Sequence, residues 1–421
     1  MHRRPLAAIG LVVAIVVATV AACGPGPDRE LPSSPTATGP RPSAASTPAA
    51  TPAATPTPRP APGHEVYGFV PHWEMDEGIA AHLRTTALTT LALFSVTTTT
   101  SGAVRTNASG YRQITGSVGK QVIDEAHQRG VRVELVFSSF GAARNRRFFA
   151  DLERQDRAIV SLVALAAKLG LDGIAIDAES LDLDLVPAYG AFVGRLRDAL
   201  LAADASDRLT VATAGSMTGA AMAAAAAAAG ADRVFLMGYN YHWADSEPGA
   251  SAPLRQRDGS GSDLVESLDR YEVLGVPVER TLLGLPLYGM SWPVAGPVIG
   301  ATRTGAGETW ILRRHLDVLG DRSIVPVRDE IEVVEFYAFA ADGSTPSSAP
   351  SPGASPGPAA SADDRTWRAV YVDSPATLAA KLAAANARGL AGAGFWAIGY
   401  ERGLPAYTEL IARFAAGEPM E

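Results

Sequence analysis

Two carboxylic acids stand two residues apart in the run "LDGIAIDAES". They are Asp177 and Glu179, set among Ile and Ala in what reads as a buried strand. Side chains on a strand alternate faces with period two. Positions 175, 177 and 179 therefore share one face, while Ile174, Ile176 and Ala178 share the other. A buried carboxylate costs free energy unless it is paired, hydrogen-bonded or used. Two held close drive their pKa values apart, so that one can stay protonated near neutral pH and donate a proton. General acid–base chemistry is therefore within reach of this strand. The spacing alone is met equally well by a solvated strand end whose acids cap the following loop.

What these acids face depends on the elements that carry them. Eight apolar, strand-like runs recur along the chain: from Glu65, then 88–96, 130–141, 171–179, 207–215, 231–243, 280–292 and 390–401. Near-continuous Val, Ile, Leu and Ala marks strands covered on both faces. Helical patterns lie between them. "GKQVIDEAHQRG" ends on Gly130, which fits a left-handed cap, and "DRAIVSLVALAAKLG" leads into the acidic run. "AAMAAAAAAAG", residues 220–230, is high in helix propensity. "SPATLAAKLAAANARG" has Ser374 at its N-cap, Pro375 at the first turn and Gly389 beyond its end. Alternating strands and helices predict a parallel sheet, and eight such units close into a (β/α)8 TIM barrel. The expected barrel covers 64–292 and 390–417. The stretch 293–389 contains "EIEVVEFYAF" and "TWRAVYVDS" and reads as a small α+β domain inserted between strands 7 and 8. Within it, 344–364 is a Pro/Ser-rich insertion expected to be disordered. Catalytic groups of such a barrel sit at the C-terminal ends of its strands, which is where Asp177 and Glu179 fall.

The first residues set the compartment. Residues 1–22 read as a signal peptide, with His2, Arg3 and Arg4 ahead of an apolar core. "VAAC" resembles a bacterial lipobox and ends on Cys23, the only cysteine among 421 residues. Cys23 is then the lipidated first residue of the mature protein; the alternative is an uncleaved membrane anchor. Either reading places the folded part outside the cytoplasm and tethered to a membrane, with no internal disulfide. Residues 23–63 are Pro/Thr/Ala-rich and read as an extended linker, able to reach on the order of 100 Å if largely polyproline-like. The net charge of −8 argues against a nucleic-acid partner. The sequence has no phosphate-binding glycine loop, no solenoid repeat and no metal-ligand spacing such as H-E-x-x-H. No metal and no cofactor are expected, and the protein is expected to be a monomer.

"DGIAIDAE" resembles the D-x-x-D-x-D-x-E signature of family 18 glycoside hydrolases, the chitinase family, through Asp172, Asp177 and Glu179. Ala175 stands where that signature has its second acid. Other segments resemble the same family in the same order: "VYGFVPHW", "FSSFG", "LMGYNYHW", "GLPLYG" and "GAGFWAIGYE". They span about 65–415 and contribute Trp73, Met237, Tyr239, Asn240, Tyr288 and Trp396. Asn240 replaces the aspartate usual at its position.

The resemblance implies retaining hydrolysis assisted by the substrate, an exception to the two-carboxylate scheme. Glu179 is then the proton donor. Asp177 orients the sugar's 2-acetamido group and stabilises the charged intermediate, and Tyr239 bonds that group from the other side. Asp172, Met237, Asn240 and Tyr288 are expected to line the site. Trp73, Trp243, Trp292 and Trp396 fall at or just after strand ends and are read as faces for sugar rings, whereas Trp310 and Trp367 are read as core. His72 and His242 lie on the same rim as cleft hydrogen-bonders or plain loop residues. The implied partner is a glycan containing N-acetylglucosamine, chitin-like or peptidoglycan. Loss of the acids at 175 and 240 favours a second reading, a non-catalytic glycan-binding protein on the same barrel. A third is a structural lipoprotein with a vestigial cleft.

Overall fold

The computed structural model describes residues 64–260, 262–321, 323–340 and 366–420. The signal peptide, Cys23, the linker and the 344–364 insertion lie outside the described residues.

Seven strands follow one another through the first half of the fold: β1 (Glu65–Pro71), β2 (Thr90–Val96), β3 (Arg132–Phe140), β4 (Gly173–Glu179), β5 (Arg208–Ala214), β6 (Arg233–Met237) and β7 (Thr281–Pro286). Five more form a separate antiparallel sheet: β8 (Tyr288–Val294), β9 (Glu308–Ile311), β10 (Val327–Asp329), β11 (Val334–Ala340) and β12 (Trp367–Val372). Finally β13 (Gly392–Trp396) fits between β7 and β1 and closes an eight-strand parallel barrel in the order β1-β13-β7-β6-β5-β4-β3-β2. All eight expected runs supply one barrel strand each.

Alternation on β4 is as the sequence predicts. Ala175 faces the barrel interior with Tyr67, Phe69, Val136, Ala212 and Phe235. Ile174 and Ile176 face outward into the layer between barrel and helices. The helix ends also follow the sequence. Gly130, Gly170, Gly230 and Gly389 take positive φ after their helices, and the Ser374 hydroxyl accepts the Thr377 N–H.

The inserted sheet lies between the seventh and eighth barrel strands, but its borders differ from the expected 293–389. The run 280–292 holds two strands. After Pro286 the chain turns, and Tyr288–Val294 pairs antiparallel with β12 and β9. The helix Pro375–Ala387 belongs to the barrel, packing on β7, β13 and the last helix, Pro405–Ala415. Apolar periodicity marks a buried face without naming the element it is buried against. A buried charge pair holds this helix in place: the Lys381 ammonium and the Thr377 hydroxyl both donate to Asp373, just after β12.

The interior is filled around Phe235. Its ring stacks edge-on to Phe69 at 4.9 Å and tilts against Tyr67 at 5.7 Å. Gly284 and Gly394, on β7 and β13, admit the ring. A Cβ at Gly394 would lie 2.5 Å from Phe235 Cε2 and 2.6 Å from the Tyr67 carbonyl oxygen. The carbonyl oxygen cannot withdraw without moving a barrel strand, and the ring is hemmed in by Phe69 and Tyr67. Gly394→Ala is expected to cost about 3 kcal/mol, the upper range for overpacking, read as a lowered midpoint in denaturant unfolding.

Candidate active site

A cleft of about 660 Å³ opens at the C-terminal ends of the barrel strands. Asp177, Glu179, Trp73, Met237, Tyr239, Asn240, Trp243 and Trp396 all line it. Strand β4 positions the two acids. It follows the long helix Leu152–Leu169, whose N-cap Asp151 accepts from the Arg154 N–H and whose end turns on Gly170. In register, Asp177 lies between Ser138 of β3 and Ala212 of β5.

Asp177 is 5% exposed, and its Oδ1 is buried without a hydrogen-bond partner among the described residues. Burial raises its pKa well above the ordinary carboxylate value, and the charge of Glu179 adds to the rise. Glu179 is pushed up as well, by burial alone. Its backbone is pinned: the Asn145 side chain donates to the Glu179 carbonyl at 2.6 Å, and Ser139 donates to Asn145 Oδ1 at 2.7 Å. Ser180 and Asn240, which directly follow Glu179 and Tyr239, both take left-handed φ, at 60° and 62°. Such conformations are rare for non-glycine residues and here turn the chain sharply after each site residue.

Tyr239 is held in its phenol form by burial, with Tyr288 and both acids adding to the rise of its pKa. Asn240 Oδ1 accepts the Tyr288 hydroxyl at 2.5 Å, and its N–H donates to Ser251 Oγ at 3.1 Å. The aromatic floor is built on Trp396. It packs edge-on to Phe94 at 4.6 Å and to Trp73 at 6.3 Å, and the Trp73 indole N–H donates to the Tyr400 hydroxyl at 3.2 Å. Trp73 and Trp243 are about half exposed. A cleft with exposed indole faces and two convergent carboxyls suits a ring-shaped polar ligand.

Three expected site residues lie elsewhere. Asp172 precedes β4 at the opposite, N-terminal end of the barrel. There it accepts from the Val133 N–H at 2.7 Å and lies 2.9 Å from His127 Nε2, so it ties β3 to β4 rather than meeting a ligand. Trp292 is fully buried in the inserted sheet, edge-on to Tyr371. It sits on β8, which has already left the barrel. Tyr288 is buried behind Asn240 rather than on the cleft wall. Trp310 is buried in the same sheet, stacked on His315. Of the two histidines, His72 lines the cleft, whereas His242 bonds within its own loop to the Glu247 carbonyl and Gln256.

Residues unforeseen in the sequence also line the cleft, among them Phe94, Phe140, Ser216 and Arg270. Phe94 and Phe140 were reachable by extending the period-two count along β2 and β3. Arg270 gave no signal, because it arrives from a helix, Leu264–Val273, donating to the Gly215 carbonyl at 2.9 Å. Among the described residues no cluster of His, Cys, Asp and Glu has the geometry to hold a metal ion.

The model of glycosyl hydrolases family 18 matches residues 65–401. This chain belongs to that family. Solved structures with the same fold include three of note. A family 18 chitinase from Cycas revoluta in complex with (GlcNAc)3 has a TM-score of 0.66 at 19% identity, over 83% of this chain and 99% of that one. The chitinase-like agglutinin of Robinia pseudoacacia gives 0.66 at 19%, over 84% and 99%. The Bacillus cereus spore cortex-lytic enzyme SleL gives 0.63 at 17%, over 83% and 74%. At these identities the likeness is one of fold. No curated protein matches the chain in sequence.

The raised pKa of Asp177 has a consequence for this family 18 barrel. The folded state holds a proton there that the unfolded chain would release, so the stability contribution is full below the unfolded carboxyl pKa and is lost as pH rises through the folded one. Asp177→Asn removes that loss. The variant is expected to melt higher than the parent at neutral pH, with the gap closing toward about pH 4, in thermal scans across pH.

Proposed function

We propose that the protein is a secreted, membrane-tethered glycoside hydrolase cleaving N-acetylglucosamine-containing glycans by the substrate-assisted retaining route. The observation that carries this reading is the buried, unpartnered Oδ1 of Asp177 beside Glu179 in an aromatic cleft. A buried acceptor with no donor is completed by a ligand N–H, and a 2-acetamido group supplies one.

The steps follow from the groups present. Glu179, whose pKa burial raises, gives its proton to the glycosidic oxygen as the bond to the anomeric carbon breaks. The acetamido carbonyl oxygen attacks that carbon from the other face and forms a cyclic oxazolinium ion. Asp177 accepts the acetamido N–H through its otherwise unpartnered Oδ1 and so orients the group, while Tyr239 bonds the same group. The Glu179 carboxylate then takes a proton from water, which attacks the anomeric carbon and opens the ring with net retention. Incubation with chitooligosaccharides and with muropeptide glycan tests this. Glu179→Gln is expected to lower turnover by about 10²–10⁴-fold while leaving oligosaccharide binding in place.

A second reading, glycan binding without cleavage, draws on Ala175 and Asn240, where two acids are missing, and on the agglutinin that shares the fold. Oligosaccharide binding with no cleavage by the parent protein would select it. Tethering through Cys23 is a separate part of the proposal, supported by the lipobox-like "VAAC". Cys23→Ser is expected to move the protein out of the membrane fraction or block its processing. An unmodified N-terminus with unchanged membrane association would reject the anchor.

A further inference from the structure

Beyond the cleft, four arginines converge on a second cavity. Arg105, Arg144, Arg147 and Arg154 surround a space of about 130 Å³ together with the hydroxyl run Thr98–Thr100 and the Phe148 ring. The fold brings them together from three elements. The loop after β2 doubles back, pairing Thr98 with Val104, and delivers Arg105. The helix Ala142–Phe149, which follows β3, presents Arg144 and Arg147 one turn apart. Arg154 comes from the first turn of Leu152–Leu169 and donates to the Arg147 carbonyl at 3.1 Å.

This is a concentration of positive charge on a chain whose net charge is −8. Among the described residues, Arg154 has the cavity's one ion pair, to Asp151 at 3.3 Å; Arg105, Arg144 and Arg147 have no carboxylate in reach. Arg144 is fixed in place by bonds to the Thr97 hydroxyl at 2.6 Å and the Thr98 carbonyl at 3.0 Å. Burial and the charges of Arg105 and Arg147 both hold its pKa below the ordinary value. Arg154 Nε is buried with no acceptor among the described residues. Like charges gathered this way repel, and an anion among them reverses the sign of that interaction.

We propose that this cavity is an oxyanion site that takes a phosphate group, bound by the arginine forks and the threonine hydroxyls. Guanidinium groups match phosphate oxygens two at a time. Donors arriving from three elements exceed what the two oxygens of a planar carboxylate can accept, whereas a tetrahedral oxyanion can take them from several sides. The site shares its strands with the cleft: Ser95 of β2 and Phe140 of β3 line the cleft, and the segments after those strands build the cavity. A phosphate-bearing polymer crossing the rim would therefore meet both. The site stands whether or not the cleft hydrolyses its ligand.

Calorimetric titration of the purified protein with inorganic phosphate, at constant ionic strength against chloride, tests it. Saturable one-to-one binding near millimolar Kd is expected, weakened at least about tenfold in Arg144→Gln/Arg147→Gln. Arg147 is exposed, so Arg147→Gln alone should keep the fold. It is expected to weaken phosphate binding while leaving cleavage or binding of a neutral chitooligosaccharide unchanged. Tighter binding of poly(glycerol phosphate) per phosphate than of the free ion identifies a polymer as the source; equal affinity identifies the free ion. Absence of saturable phosphate binding at tens of millimolar, or an Arg147→Gln variant that binds as the parent does, overturns the site.

Discussion

A carboxyl kept dry and without a hydrogen-bond partner is costly, and everything at the top of this barrel follows from holding one there. Asp177 can stay buried because closure of the eight strands surrounds it with rigid neighbours. Water cannot enter from below, where Phe69, Phe235 and Ala175 fill the interior. The backbone cannot relax outward, because Ile174 and Ile176 are packed under the helices. The same strand that buries Asp177 carries Glu179 two residues further, where burial is partial and a proton can be exchanged.

Much of this was legible in the sequence because strand periodicity is a local property. Two residues on one strand share a face wherever the strand lies, so Asp177 and Glu179 were placed together correctly, and the helix caps at Ser374 and Gly130 were equally local. Errors arose where position depends on which sheet a strand joins. Trp292 falls in a run that looks continuous with β7, yet the turn after Pro286 carries it into the inserted sheet and buries it. Asp172 fails for a different reason. Five residues along a strand span most of a barrel's depth, so an acid at the start of the motif lies at the far end from the chemistry. The arginine cavity gave no signal, since its members come from segments that only the fold makes adjacent.

The two missing acids are accommodated differently. At Asn240 the neutral amide oxygen accepts the Tyr288 hydroxyl, so the position keeps a hydrogen bond and loses only a charge. At Ala175 nothing polar remains, and the residue has become part of the apolar interior. An acid persists deeper in the barrel. Glu134 is buried, accepts the Tyr67 hydroxyl at 2.7 Å, and has its pKa pushed to about 7 by burial. The interior of this barrel is therefore graded, from a hydrogen-bonded acid low down, through an apolar layer, to the pair of acids at the rim.

Tyr288 sits at a junction. It is the first residue of the inserted sheet, yet its hydroxyl reaches back to Asn240, the neighbour of Tyr239. Only Leu287 separates it from the last residue of β7. The insertion is thus not an accessory hung from a flexible tether. It is a continuation of the barrel wall with no slack at the joint, so exchanging it for another module would demand a replacement that presents a phenol at its first position.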